Sequence, residues 1–166
     1  MAYGLLHDFY MGQGIEAFKY FGAHFENHDG VDGVMFRLYA PGADDVSVIG
    51  EWNDWNVYKD IINKFDYGGV WELLIPHLYE YQTYKFHFRN AKGKYVDKAD
   101  PYAFFAENRP GSCSKLFDYE GFIWHDDKFM TQRDRNFDKP MSIYEMHMGS
   151  WQGEVDGRQL SYEEVA

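Results

Sequence analysis

The sequence predicts a mainly β fold in which residues 22–118 form an antiparallel β-sandwich. Apolar and polar side chains alternate with period two in several short segments, as expected for strands with one buried face. Gly, Pro and Asn residues separate these segments at the short intervals typical of sandwich turns. Aromatic residues make up 20% of the 166-residue chain, and strands accommodate aromatic side chains readily. A hydrophobic content of 45% is sufficient for the core of such a domain.

The first three strands follow in chain order from this alternation and from its boundaries. Residues 34–39 alternate with the apolar residues on one side, and Pro41-Gly42 ends the strand. Residues 46–49 form a second, apolar strand, which runs into a turn at residues 50–56. Residues 68–76 form the third strand, because glycine precedes this segment and proline follows it.

The clearest strand covers residues 81–89, because its aromatic side chains alternate with polar ones. We expect one face to lie in the core, while the other carries lysine, histidine and arginine at the surface. Residues 90–93, Asn-Ala-Lys-Gly, supply a hairpin turn with a glycine for the positive backbone angle. The returning strand begins at residue 94, and Asp100-Pro101 ends it.

The two ends of the chain do not show this pattern. Residues 1–21 form an N-terminal arm with a short helix around residues 15–21, and residues 119–139 form a charged linker. Residues 140–166 begin with an apolar strand, after which Ser161-Tyr-Glu-Glu164 has the spacing of a helical capping box. A strand followed by the start of a helix opens a βα unit that requires further partners. We therefore expect the chain to be the N-terminal fragment of a larger protein.

Charge and cysteine content disfavour several classes of function. A net charge of -11 argues against nucleic acid and anionic membrane surfaces as partners, because both require a basic protein surface. A neutral polysaccharide is indifferent to that charge. No apolar run approaches the roughly 20 residues of a membrane span. Cys113 is the only cysteine and the first residues lack a signal-peptide pattern, so a cytoplasmic location is expected.

The most informative motif is the turn at residues 50–56, which carries two tryptophans. Turn chemistry explains its glycine, asparagine and aspartate residues, but it does not explain Trp52 and Trp55. We interpret Trp52, close to the strand, as a residue that mainly packs in the core. Trp55 is interpreted as an exposed plane for a ligand.

Aromatic planes surrounded by hydroxyl, amide and ammonium groups are the usual chemistry of a carbohydrate platform. Trp55 and Tyr95 supply planes of this kind. Lys85 lies on the polar face of its strand, where its ammonium group can donate hydrogen bonds to sugar hydroxyls. Lys94 and Asn56 are the expected neighbours of these three residues.

Three other patterns do not support a catalytic, metal or cofactor site. Residues 112–115 have the S-x-x-K spacing of penicillin-recognising enzymes, but the other elements of that motif are missing. His24 and His28 lie in a predicted loop without a third metal ligand. Glu145 and His147 share a face of a predicted strand, but the sequence places no pocket around them. We predict no catalytic residue, bound metal or cofactor in this chain.

Several segments together resemble the N-terminal region of the bacterial-type 1,4-α-glucan (glycogen) branching enzymes. The resemblance extends from about Asp8 to Ala166. The segments that carry it are Tyr20-Phe-Gly-Ala-His24, Arg37-Leu-Tyr-Ala-Pro-Gly-Ala43, Val46-Ser-Val-Ile-Gly-Glu-Trp-Asn-Asp-Trp55, Gly69-Val-Trp-Glu72, Tyr84-Lys-Phe86, Lys98-Ala-Asp-Pro-Tyr102 and Pro140-Met-Ser-Ile-Tyr-Glu-Met-His-Met-Gly-Ser-Trp151. The sandwich alone is similar to the glycogen-binding (CBM48-like) module shared with isoamylase-type debranching enzymes and the β subunit of AMP-activated kinase.

The resemblance implies that residues 22–118 are an immunoglobulin-like carbohydrate-binding β-sandwich. Residues 140–166 would then be the truncated first βα unit of a catalytic (β/α)8 barrel. The implied partners are α-glucan and the barrel of the same polypeptide. The catalytic aspartate and glutamate of the family have no counterpart in this chain, which by itself is expected to be non-catalytic.

By position, the family's glucan site would use Trp55, Lys85 and Tyr95, with further contacts from Ser112 and Ser114. The related kinase subunits have tryptophan in place of Tyr95 and an amide in place of Ser114, which implies weaker binding here. The implied function is to bind and position α-glucan while the enzyme forms α-1,6 branches. Two alternatives stay open, a packing module without glucan affinity and the module of an isoamylase-type debranching enzyme.

Overall fold

The structure, a computed structural model, describes residues 2–65, 68–134, 138, 140–151 and 157–165. The parts of the predicted arm, linker and terminal segment at residues 1, 135–137, 139, 152–156 and 166 lie outside the described residues, as do residues 66 and 67. The chain divides into two compact units, one up to Phe122 and one from Ile123. None of the helices in the described part of the chain has the length and apolar character needed to cross a membrane.

The described residues of the first unit form two antiparallel sheets, as the sequence predicts. Its strands in chain order are β1 (Gly22–His28), β2 (Val31–Tyr39), β3 (Val46–Gly50), β4 (Asp60–Ile61), β5 (Asn63–Lys64), β6 (Val70–Pro76), β7 (Thr83–Arg89), β8 (Tyr95–Lys98), β9 (Phe105–Ala106) and β10 (Ser114–Lys115). The first sheet has the strand order β1-β2-β6-β5. The second sheet has the order β4-β3-β7-β10-β9, with β8 paired to the same central strand β7.

The core lies between the two sheets and is built from the side chains that the alternation predicts to be buried. Phe36 of β2 and Phe86 of β7 are fully buried, and Tyr84 is 1% exposed. The Phe36 and Tyr84 rings meet edge to face with centroids 5.3 Å apart, a geometry that aromatic pairs prefer. Because strand side chains alternate, the sequence neighbours of Tyr84 and Phe86 on β7 point to the outer surface of the second sheet.

The sequence analysis did not predict strand β1. His24 and His28 lie in β1, which pairs with β2 throughout its length, so the interpretation of these histidines as loop residues is wrong. The two strands are joined through Asp29 and Gly30, both of which have positive φ. An Asp-Gly pair with two left-handed residues is a strong hairpin signal. The described residues contain no group of acidic, histidine or cysteine side chains that could hold a metal ion.

The N-terminal arm packs on the sandwich within the first unit. Helix α1 (Ala2–Tyr10) and a single 3-10 turn (Ala17–Lys19) precede β1. The predicted helix at residues 15–21 is therefore shorter and tighter than expected, and α1 was missed. Leu6 and Tyr20 of the arm are buried with Val70 of β6 in a second apolar cluster. The arm thus covers apolar surface that would otherwise face water.

The described residues of the second unit form three short helices. The predicted strand at residues 141–148 is wrong, because residues 140–147 form no strand and a helix begins at Met148. Alternation alone does not form a strand unless a neighbouring strand takes up the backbone hydrogen bonds. The helices are α2 (Asp127–Gln132), α3 (Met148–Trp151) and α4 (Tyr162–Val165).

The predicted capping box of the last helix is confirmed. The Ser161 hydroxyl accepts a hydrogen bond from the Glu164 backbone N–H at 3.3 Å, and the Glu164 carboxylate accepts one from the Ser161 N–H at 2.7 Å. Arg158 donates to the same carboxylate. These hydrogen bonds, that from Arg158 first, lower the pKa of Glu164 to about 2. A reciprocal pair of this kind satisfies two backbone donors at a helix start.

A buried polar cluster connects β7 to β10, the neighbouring strand in the second sheet. The Tyr84 hydroxyl donates to the Asp100 carboxylate at 2.6 Å, and the Asp100 backbone N–H donates to the Ser114 hydroxyl at 2.8 Å. All three residues are at most 7% exposed. Burial, followed by the proximity of the Asp100 carboxylate, raises the pKa of Tyr84 well above its ordinary value.

An ion-pair network lies on the outer face of the first sheet. Arg37 is 7% exposed. Its guanidinium group binds both oxygens of Glu26, at 2.6 and 2.9 Å, and donates to Glu72 at 2.9 Å. The Tyr20 hydroxyl donates to the same Glu72 oxygen at 2.6 Å, and its ring lies 4.9 Å from the Arg37 guanidinium carbon. This network joins the arm to β1, β2 and β6.

We predict that Arg37→Ala lowers the free energy of unfolding by about 3 kcal/mol, because it leaves two largely buried carboxylates without their partner. Urea titration followed by tryptophan fluorescence measures this change. Lys19→Ala, which breaks an exposed ion pair with Glu16, is the matched control and should cause no comparable loss. Equal effects of the two substitutions would contradict a stabilising role for the buried network.

We predict that stability falls as the pH rises above about 10, in part because of Tyr84. Over a range of high pH, the folded state keeps this phenol protonated while the unfolded chain ionises it. The contribution of Tyr84 to the free energy of unfolding is therefore complete below the pKa of the unfolded state and declines above it. Urea midpoints at pH 8 and pH 11 should therefore differ less in Tyr84→Phe than in the wild type. An unchanged difference would show that Tyr84 ionises equally easily in both states.

Candidate functional site

The hydrogen bonds of one buried asparagine fix the turn after β3, which carries two tryptophans. Asn53 is 2% exposed. Its side-chain oxygen accepts from the Gly50 N–H at 3.0 Å, and its amide donates to the Val48 carbonyl at 2.9 Å and to Asp60 at 2.7 Å. Trp52 also donates to Asp60, at 2.9 Å, from its indole nitrogen. These bonds close the turn against β3 and β4.

Trp52 packs inward, which confirms its predicted structural role. Its ring contacts Phe36 of the core at a centroid distance of 5.7 Å. The ring also lies over Gly50, where a Cβ atom would be only 2.5 Å from the indole. Glycine at this position therefore allows the indole to approach the backbone.

Trp55 lies on the outside of the same turn. It is 39% exposed and has a φ of 59°, directly after Asp54 with a φ of 56°. The left-handed region is unfavourable for a bulky residue. The Trp55 N–H donates to the Gly50 carbonyl at 3.0 Å, and Gly50 pairs with Tyr84. The Trp55 backbone therefore lies at the end of β7 that carries Lys85.

Lys85 faces outward from β7 and contacts a second predicted residue. Its ammonium group donates to the Ser112 hydroxyl at 2.9 Å. Glu107 holds the loop around Ser112 by accepting hydrogen bonds from the backbone N–H groups of Ser112 and Cys113, at 3.0 and 2.9 Å. The hydrogen bond from Cys113 is the main cause that lowers the pKa of Glu107. The structure thus brings Lys85 and Ser112 together beside the tryptophan turn.

Tyr95 lies on the same outer face of the second sheet as Lys85. It pairs with Arg89, four residues beyond Lys85 on β7, a separation of about 13 Å along the strand. Its ring stacks on His87 with a centroid distance of 5.1 Å and an interplanar angle of 8°. Its hydroxyl donates to Asp45 at 3.3 Å. Tyr95 is therefore held in place over His87, two residues from Lys85 on β7.

The remaining predicted residues differ in their positions. Asn56 is exposed, and its side-chain oxygen accepts from the Tyr58 backbone N–H at 2.9 Å. Lys94 is exposed in the hairpin turn, where its backbone N–H donates to the Asn90 side chain at 3.1 Å. Ser114 corrects the prediction, because it is 1% exposed and its hydroxyl is bonded to Asp100. Its inward direction follows from its pairing with the core residue Tyr84.

Sequence reasoning missed a groove on this face. It has a volume of about 480 Å³ and is lined by Asp45, Val46, Ser47, Val57, Tyr58, Ile61, His87 and Tyr95. Only Tyr95 among these residues was predicted. The missed signal is the strand register, which places alternate residues of β3, β7 and β8 on one outer face.

Comparisons with known proteins identify the first unit. Residues 20–103 match the profile of the family described as carbohydrate-binding module 48 (isoamylase N-terminal domain). The chain is 37% identical over 163 residues to the 1,4-alpha-glucan branching enzyme GlgB of Bacillus cytotoxicus, covering 97% of this chain and 25% of that protein. The corresponding enzyme of Bacillus caldolyticus is 38% identical over 160 residues, covering 95% and 24%. The chain thus spans about a quarter of the length of these relatives.

Among solved structures, a pullulanase from Bacillus acidopullulyticus superposes with a TM-score of 0.48 and 22% sequence identity, over 59% of this chain and 12% of that chain. The profile match and the GlgB relatives confirm the resemblance drawn from the sequence motifs. The matched residues comprise half of the chain and most of its two antiparallel sheets. This chain therefore belongs to the carbohydrate-binding module 48 family.

Proposed function

We propose that this chain binds α-glucan and positions it for a 1,4-α-glucan branching enzyme of which the chain is a part. The observation that carries the proposal is Trp55, an indole held at the surface in an unfavourable backbone conformation. Such conformations persist where the surrounding structure enforces them, and they cluster at functional sites. Family membership and the identity of the relatives as branching enzymes supply the class of ligand.

The chemistry of the face suits a neutral sugar chain. An exposed indole offers a plane for the C–H face of a glucose ring. Lys85 is bonded to the Ser112 hydroxyl, and its ammonium group has further protons to donate to sugar hydroxyls. Asn56 lies next to Trp55 and exposes an amide. These four residues form the proposed platform. Ser114 is not part of it, because its side chain is buried.

A single platform of this size should bind weakly. A few stacking and hydrogen-bonding contacts must exceed an association cost of at least about 4 kcal/mol. We therefore expect a dissociation constant near millimolar or somewhat tighter for a short glucan. A branched polysaccharide offers many chain ends, and repeated binding would increase retention.

The proposed reaction of the larger enzyme has two steps. An α-1,4 bond of the donor glucan breaks as a carboxylate nucleophile forms a covalent glycosyl-enzyme, and the 6-hydroxyl of a second chain then displaces that carboxylate. An α-1,6 branch forms, and no cofactor is expected. In this scheme residues 140–166 begin the catalytic barrel, the module orients the glucan, and the location is cytoplasmic. Iodine staining of amylose treated with the complete enzyme tests the activity, because branching shortens the stained helices.

Two alternatives from the sequence receive less support. The identity of 35–38% to branching enzymes favours branching over debranching. A module that only packs against a barrel does not require an exposed tryptophan in a left-handed conformation. A measurement of glucan binding by the chain distinguishes the proposal from a packing module without glucan affinity.

We predict that glycogen embedded in a native gel retards this chain and that Trp55→Ala abolishes most of the retardation, because the substitution removes the stacking plane. Tyr79→Ala is the matched control, since Tyr79 is also an exposed aromatic residue, at 68%, but is not part of the platform. It should migrate like the wild type. A wild type that migrates equally with and without glycogen would refute glucan binding.

A further inference from the structure

Asp100 is a buried carboxylate that lies outside the proposed platform. The residue is 7% exposed. One carboxylate oxygen accepts a hydrogen bond from the Tyr84 hydroxyl at 2.6 Å, and the other accepts one from the Tyr102 backbone N–H at 2.8 Å. No lysine or arginine of the described residues forms an ion pair with Asp100, and burial is the main cause that raises its pKa. A buried charge without a cationic partner is costly, so the explanation lies in what its hydrogen bonds hold in place.

The hydrogen bonds of Asp100 converge on one point of the second sheet. Its backbone N–H donates to the Ser114 hydroxyl at 2.8 Å, and Ser114 is the cross-strand partner of Tyr84 in the pairing of β10 with β7. On the other edge of β7, Tyr84 pairs with Gly50, the last residue of β3. Asp100 therefore joins β7 to β10 from the core, at the residue where β3, β7 and β10 run side by side.

The platform residues are attached to the same three strands. Trp55 donates its backbone N–H to the carbonyl of Gly50 in β3 at 3.0 Å. Lys85 lies on β7, and Ser112 lies two residues before the start of β10. The Lys85 ammonium group donates to the Ser112 hydroxyl at 2.9 Å, so this contact spans the two strands that Asp100 joins. A change in the separation of β7 and β10 would therefore alter the contact on the outer face.

We propose that Asp100 is a positioning residue of the glucan platform, whose hydrogen bonds hold β7 against β10 and thereby set the distance between Lys85 and Ser112. The inference rests on the proposed function. Asp100 itself does not contact the sugar, because its carboxylate is buried and bonded to the core residue Tyr84. A carboxylate suits this role, since its two oxygens accept from two separate donors at once. An apolar side chain would leave the Tyr84 hydroxyl and the Tyr102 N–H without their acceptor.

The first test is Tyr84→Phe, which removes one hydrogen bond of Asp100 but keeps the ring that fills the core. Retardation in a glycogen gel should correspond to about threefold weaker binding than in the wild type, because Lys85 and Ser112 are no longer held at hydrogen-bonding distance. In the 15N-labelled chain, the NMR amide signals of Lys85 and Ser112 should both shift. Arg37→Ala is the matched control, because it also removes a buried hydrogen-bonding group but lies on the other sheet. Its retardation should equal that of the wild type under conditions in which both variants are folded.

Substitutions at position 100 separate positioning from a general loss of stability. Asp100→Asn keeps the shape of the side chain, and its amide can accept from the Tyr102 N–H and donate to the Tyr84 oxygen. Its binding should therefore stay within about twofold of the wild type. Asp100→Ala loses both hydrogen bonds and should bind at least as weakly as Tyr84→Phe. In a Ser112→Ala background, Tyr84→Phe should cause little further loss, because the contact that Asp100 positions is already absent.

Several results would overturn the inference and leave the proposed function intact. One is a Tyr84→Phe variant that glycogen retards as strongly as the wild type. Another is an equal loss of retardation in Arg37→Ala, which would show that lower stability alone weakens binding. A full additional loss from Tyr84→Phe in the Ser112→Ala background, or a loss in Asp100→Asn as large as in Asp100→Ala, would also contradict it. A wild type that glycogen does not retard would instead refute the proposed function.

Discussion

The arrangement of the candidate site depends on the hydrogen bonds of Asn53. A side chain with two donors and an acceptor ties the turn to the last residues of β3 and, through Asp60, to β4. With the turn closed in this way, Trp52 enters the core and Trp55 remains outside. An aspartate at position 53 could not donate to the Val48 carbonyl, and a serine could not reach several partners at once. The amide therefore selects the turn, and the turn determines which indole is exposed.

The central strand β7 determines the spacing of the side chains on the outer face of the second sheet. It pairs with β3 along one edge, and along the other with β10 near Thr83 and with β8 near Arg89. Side chains from four strands therefore share one surface, with Lys85 toward one end and Tyr95 at the other.

Alternation along the sequence predicted most of the sandwich, because a strand with one buried face shows its orientation directly. It could not predict Ser114, since β10 contains only two residues and its inward direction comes from pairing with Tyr84. The groove was missed for a related reason. Ser47, Ile61 and Tyr95 come from three strands, and only their register brings them together. The apolar alternation at residues 141–148 predicted a strand that depends on pairing with other segments.

The two outer faces of the sandwich differ in how they affect stability. On the first sheet, the arm and the Arg37 network cover the surface and satisfy its charges. Beside the second sheet, Trp55 occupies a left-handed conformation, and within the sheet the buried Ser47 hydroxyl has no hydrogen-bond partner among the described residues. Both features are unfavourable for folding, and local rules are broken mainly where function requires it. Their occurrence on one face, together with the exposed aromatic rings, is the reason for placing the proposed glucan site on the second sheet.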